Sequence, residues 1–171
     1  MSSSDVSIRD ANLADIPSIT SIYAHAVINT VATLDTEEPT IATQEEWFRH
    51  HDERHPVLVA ESGNTVVGWA SLSDWSTKAG YRNTAEASVY VSPECHRQGI
   101  GTELLQALVE RAQSVGLHVL VARISSTNET SLRLARRCGF SHVGTMNESG
   151  FKFGNYVDVE VLQLVLHAAR G

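Results

Sequence analysis

The sequence predicts an α/β fold with an antiparallel first half and a strand–helix–strand unit in the second. Two observations carry this. Between residues 57 and 91, the runs "VLVAE", "TVVGWASLSDW" and "TAEASVYV" follow one another across short polar turns, as strands of a meander do. From Ile100 to Val115, the apolar residues Ile100, Leu104, Leu105, Leu108, Val109 and Ala112 form one helical stripe between "TAEASVYV" and "HVLVARI".

In chain order, "VSIRDA" alternates like a short strand. Asn12 is placed to cap a helix in which Ile16, Ile19, Ile22, Tyr23, Ala26 and Val27 recur at helical spacing. "INTVATLDTEEPT" reads as a loop. Thr43 and Glu46 have capping-box spacing and open a short helix carrying Trp47. "VLVAE" and "TVVGWASLSDW" flank the turn "SGN" as a hairpin, and "TAEASVYV" is the next strand. Gly116 can end the long helix. "HVLVARI" is a strand, Ser131 to Cys138 a short helix closed by Gly139, and "VDVEVLQLVL" a final strand, with "GFKFGNY" serving the last hairpin. No repeat, low-complexity stretch or linker divides residues 1–171, so one domain is expected.

Composition narrows the partners. Hydrophobic residues make up 42% and charged residues 19%, with a formal net charge of -7 and a sequence pI near 5.5. An acidic chain argues against nucleic acid, which needs a basic face. "MSSSDVSIRD" lacks the basic and apolar regions of a signal peptide, and no run approaches the roughly 20 apolar residues that span a bilayer. No membrane partner and a cytoplasmic location are expected. Cys95 and Cys138 have no metal spacing and are too few for a disulfide framework. His51 and His55 lie one helical turn apart, but "HHDERHP" is not a zinc-helix motif and Pro56 ends the turn, so no metal is expected.

"HRQGIG", residues 96–101, sits between a strand and a helix. A helix N-terminus offers unpaired N–H groups and partial positive charge, and Gly99 and Gly101 would let an anion reach them. Thr102 adds a hydroxyl and Arg97 a charge. A glycine turn without a ligand explains the motif equally well. A dinucleotide fingerprint would need glycine where Leu104 stands, and the Gly-Lys-Ser/Thr of a nucleotide P-loop is missing.

"VYVSPECHRQGIGTELLQALVERA" resembles the acetyl-CoA motif of the GNAT N-acetyltransferase family, and "NETSLRLARRCGF" is similar to the segment that follows it there. "TAEASVYVSP", "GFKFGNYVDV" and "IYAHAVINTVATL" resemble the phosphinothricin/methionine sulfone N-acetyltransferase group, so the likeness runs through almost the whole chain. It implies the GNAT fold: a mixed, mostly antiparallel sheet with a splayed pair of parallel strands, flanked by helices. It further implies acetyl-CoA as co-substrate, its pyrophosphate on Arg97, Gln98, Gly99, Ile100, Gly101 and Thr102. The backbone of Val89, Tyr90 and Val91 would pair with the pantetheine arm, and Asn128 would bind the arm beyond the sheet. From sequence alone, Asn128 is as readily a helix cap. His96 departs from the usual Gln or Arg.

Acetyl transfer to an amine needs that amine neutral. Glu86, between small residues in "TAEASV", reads from pattern either as solvent-facing or as a partly buried base. The resemblance implies the base, acting through water. The position that often carries a thiolate-protonating Tyr or His is Ala135 here, so no general acid is named. The resemblance also implies an acceptor wall in "SDWSTKAGYRNTAE": Trp75, Ser76, Lys78, Tyr81, Arg82 and Ala85. Relatives place a basic residue just after the "DW" pair; this chain has Ser76, with Lys78 and Arg82 nearby. Leu34 stands where relatives often have an aromatic. The expected reaction is acetylation of the α-amine of a small amino acid or analogue by a homodimer, with Phe153 and Tyr156 as interface candidates. Other amines (a polyamine, an aminoglycoside, a protein N-terminus) and a weakly catalytic acetyl-CoA-binding module are the alternatives.

Overall fold

A computed structural model describes residues 6–167 of the chain. Its strands are β1 (Val6–Asp10), β2 (Val57–Ser62), β3 (Thr65–Asp74), β4 (Thr84–Val91), β5 (Val119–Ser125), β6 (Ser141–Lys152) and β7 (Asn155–Val165). Its helices are α1 (Ile16–Asn29), α2 (Ile41–Arg49), α3 (Ile100–Ser114) and α4 (Glu129–Arg137). The strands form one sheet in the order β1-β2-β3-β4-β5-β7-β6. Every neighbouring pair is antiparallel except β4 and β5.

The central strands β2 and β3 are buried on both faces, because α3 covers one and α1 and α2 the other. In β2, Leu58 and Ala60 face the stripe of α3, where Leu104 and Leu108 are fully enclosed. Enclosing each leucine stabilises the fold by about 2 kcal/mol. Val57 and Val59 point the other way and meet Ile16, Ile19 and Ile22 of α1, with Trp69 of β3. Gly116 ends α3 and Gly139 follows α4, both with left-handed backbone, as the sequence suggests.

Asn12 caps the chain's entry into α1, through one 3-10 turn. Its Oδ1 accepts from the Ala14 N–H at 2.9 Å, and the Asp15 carboxylate accepts from the Asn12 N–H at 2.8 Å. One expectation is corrected, and one strand has no counterpart in the sequence reading. The cap of α2 is Thr40, not Thr43: Thr40 is extended and accepts from the Thr43 N–H, while Thr43 supplies the reciprocal side-chain bond. The region before the last hairpin is a twelve-residue strand, β6, whose register slips at His142/Gly144 and again at Met146/Gly150. Those bulges hide it from any period-two pattern.

Candidate active site

Strands β4 and β5 are paired over three rungs only, Thr84–Val119, Ala85–Leu120 and Glu86–Val121. β4 continues to Val91 and β5 to Ser125 without further pairing, so the two part just beyond Glu86. Among the described residues, the edge of β4 from Ala87 to Val91 that faces β5 has no strand neighbour, and its backbone groups, apart from the Val91 carbonyl, are available to an extended amide chain. Val89 and Val91 turn their side chains to the α3 core, while Tyr90 turns to the opposite face.

At the mouth of this opening lies the 96–101 loop. Arg97 and Gly99 both have left-handed backbone, at φ 64° and 86°. Among the described residues, the amides of Arg97, Gln98, Gly99, Ile100 and Gly101 donate to no protein acceptor. Five free N–H groups at the start of a fifteen-residue helix make an anion cradle, and a pyrophosphate fits its chemistry. The Thr102 amide is already bonded to the Gly99 carbonyl at 3.0 Å, so Thr102 offers its hydroxyl. Gly101 packs closely: a Cβ there would come within 2.7 Å of Leu134 Cδ1 in α4, so that methyl would have to turn aside. His96 Nε2 meets the Val91 carbonyl at 2.9 Å and ties the loop to the end of β4.

Asn128 does cap α4, its Oδ1 accepting from the Ser131 N–H at 3.2 Å. Its side-chain NH2 has no partner among the described residues, so capping leaves a donor for a ligand. Ala135 is enclosed in the α3 core, only 1% exposed, and supplies no proton.

Glu86 shares the outer face of β4 with Ser88 and Tyr90. Its carboxylate accepts two bonds from one guanidinium, Arg123 Nε to Oε2 at 2.7 Å and Nη2 to Oε1 at 3.0 Å. The Arg123 guanidinium also lies over the Trp75 ring, 5.8 Å from its centre. Pattern reading passed over Arg123; the available signal was one charge inside the apolar run "HVLVARI".

On the same face a cavity of about 540 Å³ opens between the sheet, α1, α2 and the loop after α1. Tyr23, Trp47, Trp69 and Tyr90 form its aromatic wall, Ser71, Ser73 and Ser88 its floor, and Asp35, Glu37 and Glu38 an acidic lip. Ser73 is the cross-strand partner of Glu86, which puts Glu86 at the rim. Burial pushes the Tyr90 hydroxyl up to about 12 and raises Tyr23 as well. Tyr23 donates to Asp35 and shares a bond with Thr33, anchoring the loop.

The expected acceptor wall divides. Trp75 and Ser76 are half-buried just past β3, whereas Lys78, Tyr81 and Arg82 are exposed and none of the five lines the cavity. Ala85 is fully buried against α3 and has no side-chain surface for a ligand, because strand alternation points it away from Glu86. Phe153 and Tyr156 are exposed on the β6–β7 hairpin. His51 stacks on Trp47 and bonds its carbonyl at 2.8 Å, and burial holds its pKa down. His55 shares the Asp52 carboxylate at 3.2 Å. Among the described residues, no cluster of three or more His, Cys, Asp or Glu side chains is suited to a metal ion, and no helix is long and apolar enough to cross a membrane.

The profile of the acetyltransferase (GNAT) family matches residues 19–140. An L-methionine sulfoximine/L-methionine sulfone acetyltransferase of Pseudomonas aeruginosa is 44% identical over 166 residues, 96% of each chain. A phosphinothricin N-acetyltransferase of Streptomyces coelicolor is 36% identical over 91% of this chain and 93% of its own. The crystal structure of a GNAT-superfamily phosphinothricin acetyltransferase from Sinorhizobium meliloti in complex with acetyl-CoA superposes with a TM-score of 0.91. It is 35% identical, over 95% of this chain and 89% of that one. With the splayed parallel pair and the amide cradle already in place, the chain belongs to the GNAT family of acetyltransferases, enzymes whose acetyl donor is acetyl-CoA.

Proposed function

We propose that this enzyme acetylates the α-amine of a small amino acid or analogue of the methionine sulfoximine, methionine sulfone or phosphinothricin type, with Glu86 as the base. The observation that carries the reading is the position of Glu86 at the last paired rung, where β4 and β5 part. A pantetheine arm lying along Val89, Tyr90 and Val91, with its pyrophosphate on residues 97–102, would present its thioester beside that carboxylate. The donor supplies an activated acyl group. Glu86 takes the proton that the amine nitrogen gives up as it bonds to the carbonyl carbon, directly or through one water, and the C–S bond breaks to release the thiolate. Ala135 cannot protonate that sulfur, so its proton comes from water or another group, or the acid step is not limiting. Support for the acceptor class comes from the names of the relatives at 44% and 36% identity.

The reading extends to a single-domain homodimer in the cytoplasm. The dimer is supported by the exposed aromatics Phe151, Phe153 and Tyr156 along the last hairpin. The test follows thiol release from acetyl-CoA with each analogue and with a panel of polyamines and aminoglycosides. Turnover of the amino-acid analogues and a 10²- to 10⁴-fold loss of kcat in Glu86→Gln are expected. Full activity in that variant removes Glu86 from the base role.

A further inference from the structure

The Glu86–Arg123 pair leaves one half of a guanidinium unused. Nε and Nη2 of Arg123 are bonded to the carboxylate, but Nη1 has no partner among the described residues. The Arg123 side chain is 51% exposed, against 21% for Glu86, so the guanidinium can be reached from solvent. Its place is set by the sheet. Val121 is the rung opposite Glu86, and Arg123 is two residues on, on the same face and over the gap where the strands part. The Trp75 ring lies beneath the guanidinium, 5.8 Å from its carbon to the ring centre, and uses none of its N–H groups.

The rest of the site offers little to an anion. The cavity lining includes Asp35, Glu37 and Glu38 and no basic side chain. Lys78 and Arg82 are exposed outside it, and Ser76 is neutral. An α-amino acid carries its ammonium and carboxylate on one carbon. Beside the Glu86–Arg123 pair it can set its carboxylate on Nη1 and its amine toward Glu86, so each charge meets its opposite. A guanidinium edge is well matched to a carboxylate. An amine without a carboxylate makes only half of this array.

We infer that Arg123 is the residue that recognises the acceptor's carboxylate and so makes free α-amino acids the preferred substrates. This deepens the acceptor reading above and rests on it. Arg123 also orients Glu86, and the two roles separate kinetically. Losing carboxylate recognition raises KM for acids alone, whereas misplacing the base lowers kcat for every amine.

The experiment compares L-methionine sulfone with its carboxamide at saturating acetyl-CoA in wild type, Arg123→Gln and Arg123→Lys, each checked by thermal melting. The carboxamide's amine is less basic, but that difference is common to all three proteins and cancels when their acid-to-amide ratios are compared. We expect the acid-to-amide ratio of kcat/KM to fall about 10- to 100-fold from wild type to Arg123→Gln, through KM for the acid. Arg123→Lys should fall between the two. An unchanged ratio in Arg123→Gln, or an equal loss on both substrates, overturns the inference while leaving the acceptor class standing. Wild type that turns over neither compound removes the acceptor class and the inference together.

Discussion

Gly150 of β6 is buried under Leu34 of the loop that walls the cavity. A Cβ at residue 150 would lie 2.5 Å from Leu34 Cδ1, 3.1 Å from Cδ2 and 3.3 Å from Cγ. Three atoms of one side chain are too close, so turning one methyl does not relieve the clash and Leu34 must move as a unit. Gly150 does not have a left-handed φ, so alanine brings no backbone strain and even gains up to about 1 kcal/mol by restricting the unfolded chain. Against that stands an overpacking cost of about 1–3 kcal/mol. With both terms near the middle of their ranges, the net for Gly150→Ala is a destabilisation of about 1 kcal/mol, or a Tm lower by about 2–4 °C in a domain of this size. The displacement also reaches the site, because Thr33 and Asp35 on either side of Leu34 both bond Tyr23, and the Thr33 carbonyl accepts from Lys152 Nζ at 2.8 Å. The assay is calorimetric melting of Gly150→Ala, Leu34→Ala and the double variant. With Leu34 trimmed, the alanine at 150 should cost almost nothing, leaving a coupling of about 1 kcal/mol or more. An equal cost in both backgrounds would refute the steric reasoning.

Two further outcomes follow from local geometry. Gly99→Ala meets no atom within 4 Å, so its penalty is that of the left-handed backbone alone, about 1–2 kcal/mol, and it should raise KM for acetyl-CoA; Gly99→Asn should be milder, and equal effects in the two would contradict a backbone origin. Asp15 is held below the usual carboxylate range by Arg9, which meets it at 2.8 and 2.9 Å, and by the Asn12 N–H. The folded state therefore binds its proton less readily than the unfolded one. The resulting stability is present above about pH 4 and is lost as pH falls through the depressed value. Asp15→Asn should cost about 1–3 kcal/mol at pH 7. Melts at pH 7 and pH 3 should show that gap narrowing, and a constant gap would mean the charge is not its source.

What the sequence reveals depends on how local the signal is. β4 is read from "TAEASVYV" because its composition and both its turns are local, and α3 because its stripe fits a single helix. The glycine loop is legible for the same reason: strand, left-handed glycine and helix start lie within a few residues. β6 is not, because two register slips and the polar run "TMNESG" break its alternation. The cap of α2 was misplaced by three residues because Thr40 and Thr43 are chemically identical, and only the backbone tells which is extended. The site's main gap had a different cause. Arg123 and Glu86 are 37 positions apart, and only the parallel rung at Val121 brings them together. Lys78 and Arg82 lie near "DW" along the chain, whereas the guanidinium lying across Trp75 comes from β5.

Among the described residues, only three ladder rungs, between β4 and β5, join one half of the sheet, β1 to β4, to the other, β5 to β7. The joins on either side run to seven rungs each. A donor whose amides extended along the open edge of β4, as proposed, would add bonds to that seam. Ligand binding and fold stability would then be one equilibrium: at a donor concentration a hundredfold above its Kd, the native state would gain about 2.7 kcal/mol. Scarcity of acetyl-CoA would then loosen the protein at its midline as well as starve its reaction.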